Sequence, residues 1–266
     1  MTTTLLLAAV FFCVSTLFSM IGMGGGILYV PILLFAGFTF EQAPAISLML
    51  ISGTSLAALL TFWRNRKVDW KLALVMDPPT DIMAFVGGYY SSLVPEPVLR
   101  SILVGILLLA GTLMLLNKTR PVIDQAAADK RWWLWHRRFD GVSYTVNLPL
   151  VLTATAAIGM LSGMLGITGG IIKLPIMVLL CGVPMDIAVA TSTVMVAITA
   201  LSGLAGHALS AQLDWRTGLI LAMVAIIGGR VGSRISIKMD KSRLKKWFGI
   251  ILWLIALRML IQLLMP

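Results

Sequence analysis

The sequence predicts an all-α polytopic membrane protein built from two inverted repeats, and three observations lead there. Hydrophobic residues make up 59% of the 266 and charged residues 12%, a balance that leaves a soluble domain too little polar surface. Apolar runs at residues 5–20, 46–63, 99–116, 151–165, 187–209, 218–229 and 248–265 recur along the chain. Several come near the ~20 residues a helix needs to cross a bilayer. Two glycine clusters, Gly22-Met23-Gly24-Gly25-Gly26 and Gly166-Ile167-Thr168-Gly169-Gly170, interrupt such runs, and Pro31 and Pro175 follow them at the same spacing.

The duplication extends beyond the clusters. An offset of about 144 residues superposes Gly22, Gly25, Gly26 and Pro31 on Gly166, Gly169, Gly170 and Pro175. One added residue brings Ala45-Ile46-Ser47 onto Ala190-Thr191-Ser192, Asp69-Trp70 onto Asp214-Trp215, Gly87 onto Gly232 and Leu99-Arg100 onto Leu244-Lys245. The chain thus divides into a first membrane repeat (1–116), a basic linker (117–147) and a second membrane repeat (148–266). Lys118, Arg120, Lys130, Arg131, Arg137 and Arg138 outnumber the linker's acidic residues and mark it as cytoplasmic. The loop around Arg64, Arg66, Lys67 and Lys71 is basic and its equivalent at Asp214 and Arg216 is not. Between Lys238 and Lys246 the bias is reversed relative to the equivalent loop at Glu96 and Arg100. Charge bias that swaps sides between copies is the sign of inversion, and each copy then crosses an odd number of times.

Taken in order, five segments per copy fit this requirement: 4–21, 27–38, 42–63, 71–92 and 97–116, then 148–165, 171–182, 187–209, 216–236 and 245–264. The segment behind each glycine cluster is too short to span as a straight helix and reads as part of a broken or re-entrant pair. Merging or separating these pairs gives about 8–10 transmembrane segments. Residues 1–20 lack a basic start and continue apolar past any cleavage site, so they read as a first span and not a secretory signal. Cys13 and Cys181 lie in apolar runs as small hydrophobes. The net charge of +10 resides in loops, where it reports orientation and not nucleic-acid binding. Trp132, Trp133 and Trp135 beside Arg131, Arg137 and Arg138 read as an anchor in the lipid interface.

Irregular backbone at membrane depth survives only where protein buries it or where it lines a wet cavity. A helix that starts behind glycines offers orphan amides and a positive dipole end, which suits an anion. The competing reading is that the glycines only let helices pack closely. On the first reading Gly22, Gly24, Gly25, Gly26, Gly166, Thr168, Gly169 and Gly170 form two halves of a substrate site between the repeats. The hydroxyls of Ser47, Ser52, Thr54 and Ser55, and of Thr191, Ser192, Thr193 and Thr199, can add hydrogen-bond donors or bond back to their own helices, and Ser47 and Ser192 are equivalent in the repeat. Lys173, just behind the second cluster, is an intramembrane cation that calls for an anion beside it, substrate or carboxylate. Asp77-Pro78-Pro79-Thr80-Asp81 sets two carboxylates one helical turn apart. They are candidates for proton or sodium coupling, for gating, or for an ion pair with Lys173 or Arg230. Arg230 and Arg234 read as snorkelling residues, Glu41 as solvated, and His207 as packed or in a polar contact. With two histidines and no Cys/His cluster, the chain offers no metal site, no cofactor motif and no catalytic constellation.

The segments GMGGGILYVP and GITGGIIKLP resemble the paired glycine signature of the sulfite exporter TauE/SafE family over nearly the whole chain outside the linker. The resemblance implies a multi-pass secondary transporter of the bacterial inner membrane that exports a small inorganic or organic anion of the sulfite or organosulfonate class. An anion channel is the nearest alternative, and an intramembrane enzyme a more distant one. The chain departs from the pattern at Thr168, where glycine is expected, at Lys173, where an apolar residue is usual, and at Asp77 and Asp81.

Inversion is testable directly. Cysteine labelling in intact vesicles should report the loop at Asp69 and the loop at Asp214 from opposite faces of the membrane; labelling of both from one face contradicts it.

Overall fold

The computed structural model describes residues 2–21, 26–116, 131–210, 214–237 and 241–264. The first half of the chain contains α1 (Thr2–Ile21), α2 (Gly26–Phe35), α3 (Gln42–Arg64), α4 (Trp70–Met76), α5 (Pro78–Tyr90) and α6 (Glu96–Leu116). A two-stranded hairpin follows, β1 (Leu134–Phe139) and β2 (Val142–Asn147). The second half contains α7 (Leu148–Leu165), α8 (Gly170–Pro175), α9 (Met185–Ser210), α10 (Trp215–Ser236) and α11 (Lys241–Leu264). Among the described residues four helices are long and apolar enough to cross a membrane, α3, α7, α9 and α10, with further apolar stretches at 7–20, 26–35 and 252–263. The chain is an all-α polytopic membrane protein apart from the hairpin.

Proline sets the local breaks. Pro78 and Pro79 donate no amide, so the carbonyls of Leu74 and Val75 lose their helical partners. The segment expected at 71–92 accordingly divides into α4 and α5 at Asp77. Behind α8 the chain continues as a π-helical turn, Ile176–Leu180, with the Cys181 amide reaching back to the Ile176 carbonyl. The missing amide of Pro175 opens the ladder that this turn re-closes.

The repeats exchange partners. Helix α1 packs on α10 and α7 packs on α5; α3 also packs on α10 and α9 on α5. At the centre α3 meets α9, and α6 meets α11. Glycines set these distances. A Cβ on Gly87 would lie 2.2 Å from the Met160 carbonyl oxygen, and one on Gly232 would lie 1.9 Å from that of Thr16. These two contacts are equivalent under the sequence offset, and both bring backbones together as small residues do in membrane bundles. The contacts also give direction. Gly228 and Gly232 lie against Phe12 and Thr16, and Gly218 and Gly229 against Met49 and Thr54, so α1, α3 and α10 run parallel. Gly159 and Gly163 lie against Thr80 and Ala84, and Gly88 against Gly203 and His207, so α5, α7 and α9 run parallel. Leu48 near the start of α3 touches Gly203 near the end of α9, while the amide of Asp69, beyond the end of α3, donates to Thr191 near the start of α9. Helices α3 and α9 are therefore antiparallel.

The hairpin lies in what the sequence offered only as a polar linker. Its turn, Asp140-Gly141, has φ +50° and +78°, the left-handed pair that a two-residue hairpin requires. Tyr144 and Val146 face inward and join an apolar cluster with Phe62, Val68, Leu72, Cys181 and Val183. The Thr145 amide donates to the Cys181 carbonyl, which ties the hairpin to the end of the π-helical turn. Trp135 packs against this cluster while Trp132 is exposed.

Asp69 is the fastener. It is fully buried, it caps α4 by accepting from the amides of Lys71 and Leu72, and Arg137 grips both its oxygens at 3.0 and 3.1 Å. The Tyr144 hydroxyl donates to it as well. Burial pulls the Asp69 carboxyl up, but the bonds from Arg137, Tyr144 and the Leu72 amide outweigh it and hold it below the ordinary carboxylate range. Asp214, its equivalent, caps α10 through the Thr217 amide and carries no such clamp from the hairpin.

A carboxyl held below its unfolded value stabilises the folded state above that value and loses the contribution as pH falls through the folded one. Proteolysis of the hairpin should therefore stay slow from neutral pH down to about pH 4 and accelerate only below. Arg137→Gln should make cleavage fast already at neutral pH. Equal cleavage of variant and parent would remove Asp69 as the fastener.

Candidate functional site

The last residue of the first glycine cluster lies against the second cluster. Gly26 begins α2, and a Cβ there would lie 3.1 Å from the amide nitrogen of Thr168. From this point α2 leads toward the surface that carries the 36–41 turn, and α8 leads toward the hairpin at Cys181. Gly166 holds the turn between α7 and α8 in the left-handed region at φ +64°, where its Cα side faces the backbone of Pro44 too closely for a side chain. The Ser47 hydroxyl donates to the Gly166 carbonyl at 2.6 Å, joining α3 to the second cluster. Gly169 is the N-cap of α8, and Gly170 its first residue. Gly22, Gly24 and Gly25 lie outside the described residues.

Lys173 is fully buried one turn into α8. Its Nζ donates to Asp77 Oδ1 at 2.5 Å and to the Thr199 hydroxyl at 3.1 Å. Thr199 in turn lies 2.8 Å from Asp81 Oδ1 and 3.4 Å from Asp77 Oδ1. Four elements thus converge: α8 supplies the cation, the α4–α5 break and the first turn of α5 supply the carboxylates, and α9 supplies the hydroxyl. The ion pair offered by the sequence as one fate of Asp77 is formed with Lys173. Asp77 Oδ2 and the Thr168 hydroxyl, both 3% exposed, have no hydrogen-bond partner among the described residues. In hydrocarbon surroundings an unmatched polar atom costs more than in water, so each favours a polar partner.

The equivalent place in the other half of the molecule is built from the same backbone with different chemistry. Tyr29 stands at the repeat position of Lys173, and its hydroxyl pairs with Thr54 at 3.1 Å; Thr54 is the counterpart of Thr199. Where the second-repeat lysine meets Asp77 and Asp81, the first-repeat tyrosine has Ala222 and Ile226 at the matching positions, lying beside Gly53. Both sites are fully buried, and only one is charged.

The remaining hydroxyls divide. Ser52, Thr54 and Thr193 bond back to carbonyls of their own helices, and the Ser192 hydroxyl donates to the Val189 carbonyl. The carbonyl that would mirror Gly166 for Ser192 belongs to Gly22, outside the described residues. His207 bonds to the Gly163 carbonyl at 2.8 Å and lies 3.3 Å from Ser91, a polar contact between α9, α7 and the end of α5. Glu41 is exposed at the start of α3. Tyr29 was not singled out by the sequence, and Thr199 stood there only as one of several span hydroxyls that could donate to an anion or bond back to their own helix. The repeat offset pairs Thr54 with Thr199 and Tyr29 with Lys173, and that pairing was the signal available.

Comparison with known proteins agrees across the chain. The profile described as sulfite exporter TauE/SafE matches residues 7–259. The probable membrane transporter protein YunE of Bacillus subtilis is 30% identical over 257 residues, covering 93% of each chain. The probable membrane transporter protein YfcA of Escherichia coli is 28% identical over 240 residues, covering 88% of this chain and 82% of the relative. A probable membrane transporter protein of Methanocaldococcus jannaschii is 26% identical over 272 residues, covering 96% and 95%. No solved structure matches the chain.

Breaking a buried pair by removing one partner costs about 3–5 kcal/mol, whereas replacing both by neutral groups is often neutral. Lys173→Met and Asp77→Asn should each lower the melting midpoint in detergent by several degrees, and the double variant should regain most of the loss. Additive losses in the double variant would mean that the two residues are not energetically paired.

Proposed function

This chain belongs to the sulfite exporter TauE/SafE family and is a multi-pass membrane transporter, and from that membership we propose that it exports a small anion of the sulfite or organosulfonate class. The observation that carries the reading is a buried ammonium, Lys173, beside the meeting point of two glycine-broken helices. The substrate site we infer comprises Gly22, Gly24, Gly25, Gly26 and Ser47 from the first repeat and Gly166, Thr168, Gly169, Gly170, Lys173 and Ser192 from the second. Lys173 supplies the charge and the Thr168 hydroxyl an unclaimed hydrogen bond. A cation binds an anion most strongly where the effective dielectric is low. Nothing in this set provides a nucleophile with a base beside it, so transport and not catalysis is the reading.

The antiparallel run of α3 against α9 supports inverted repeats, with the basic hairpin on the cytoplasmic face.

The test is binding, then flux. Purified protein should show a raised melting midpoint with sulfite or short sulfonates, because a ligand of the folded state stabilises it by mass action. Reconstituted vesicles should release the same anions saturably. The Lys173→Met/Asp77→Asn variant, with the buried charges removed together, should fold and lose both responses. Undiminished binding in that variant would remove Lys173 from the site.

A further inference from the structure

Resting on that transport reading, we propose that the substrate anion displaces Asp77 from Lys173, that a proton neutralises the displaced carboxylate, and that anion and proton therefore cross together without net charge, so that export runs on the anion's own outward gradient and not on the membrane potential. The charge sealed from solvent is balanced, one ammonium and one carboxylate at 2.5 Å; the second carboxylate, Asp81, is partly exposed and accepts from Thr199. An anion that joined this pair would leave one uncompensated negative charge at membrane depth, the arrangement such sites exclude. Taking up one proton removes the excess. The exchange balances as Lys173–NH₃⁺···⁻OOC–Asp77 plus A⁻ plus H⁺ giving Lys173–NH₃⁺···A⁻ plus HOOC–Asp77. No covalent bond other than the new carboxyl O–H is made.

Three features equip the site for this exchange. Asp77 Oδ2 is buried without a hydrogen bond, an open position for the proton. Thr199 has one hydroxyl proton within reach of both carboxylates, so it can donate to one while accepting from the other. Asp81, one turn along and partly exposed, is the member of the pair through which a proton can arrive. On the anion's side, the orphaned Thr168 hydroxyl is nine-tenths buried and adjoins Gly169, whose missing Cβ would lie 3.6 Å from the Lys173 side chain.

Other groups do not supply the balancing charge. Helix α7, packed along α5, has no ionisable residue; α4 carries Lys71, exposed at its outer end. Helix α9 carries Asp186 near its start and His207 near its end, the latter bonded at Gly163 and Ser91. The Tyr29–Thr54 place has Ala222 and Ile226 where the carboxylates would stand, so the exchange has one locus per chain.

Methanesulfonate is the probe, because it stays a monoanion across the working range and any proton moved with it is carried by the protein. Vesicles containing the full chain are clamped with valinomycin and potassium while internal pH is followed with pyranine. Expected are one proton per anion, accumulation of about tenfold per pH unit at zero potential, and flux that changes less than twofold between zero and 100 mV. Binding to wild-type protein should tighten about tenfold per unit of falling pH above the titration of the carboxylates. In Asp77→Asn, Lys173 is permanently released, so binding should persist, lose that pH dependence, and support counterflow without proton movement. Flux that follows potential with no proton uptake overturns the coupling and leaves the transport reading standing. Absence of methanesulfonate or sulfite flux under every gradient overturns the transport reading, and this inference with it. If Asp77→Asn does not fold, the proton count on the wild-type protein decides alone.

Discussion

An ammonium and a carboxylate sealed from solvent in a membrane protein hold each other in place, because neither can remain charged there without the other. Lys173 and Asp77 impose this constraint on everything around them. The lysine must come from a helix that begins at membrane depth, which the glycines behind α7 permit. Its partner must come from a helix interrupted by Pro78 and Pro79, which turns Asp77 inward at the break. Thr199 must stand between them on a third helix. None of the three positions is tolerable unless the others are occupied, and the glycine contacts that draw α5, α7 and α9 together keep them so.

The architecture around the pair is repetitive where it concerns backbone and asymmetric where it concerns chemistry. Gly87 against Met160 and Gly232 against Thr16 are the same contact made twice, since two helices at that distance admit no side chain. Asp69 and Asp214 are the same helix cap made twice. Charge is treated differently: it was placed, or kept, in one copy only, with Tyr29 filling the space in the other. A second buried pair would double the desolvation cost of folding without adding a second route, which is a physical reason for a duplicated scaffold to carry a single charged site.

Much of this was legible in the sequence because it rests on period and spacing. Apolar runs, glycine clusters and the offset between copies gave the helices and their breaks to within a few residues, and Lys173, Asp77 and Asp81 stood out as ionisable groups where lipid forbids them. The pairing of Lys173 with Asp77 was one possibility among several, since a sequence separation of 96 hides which helices touch. Thr199 was one of several span hydroxyls offered as donors, and nothing in the sequence set it apart, because hydroxyls in spans mostly bond to their own helix, as Ser52 and Thr193 do. The hairpin was overlooked although Asp140-Gly141 between aromatic and β-branched residues is a strong turn signal. A basic stretch between membrane repeats was read for its charge and not for its alternation.

The hairpin and the ion pair stand at the two ends of one short rod. Helix α4 has seven residues, about 10 Å of rise, with Asp69 clamped at its outer end and Asp77 at its inner end. A helix turns about 100° per residue, so a slip of one position at the clamp would rotate Asp77 away from Lys173 altogether. The grip of Arg137 and Tyr144 on Asp69 therefore acts as an indexing pin: a contact at the surface fixes the angular setting of a carboxylate that the solvent never reaches.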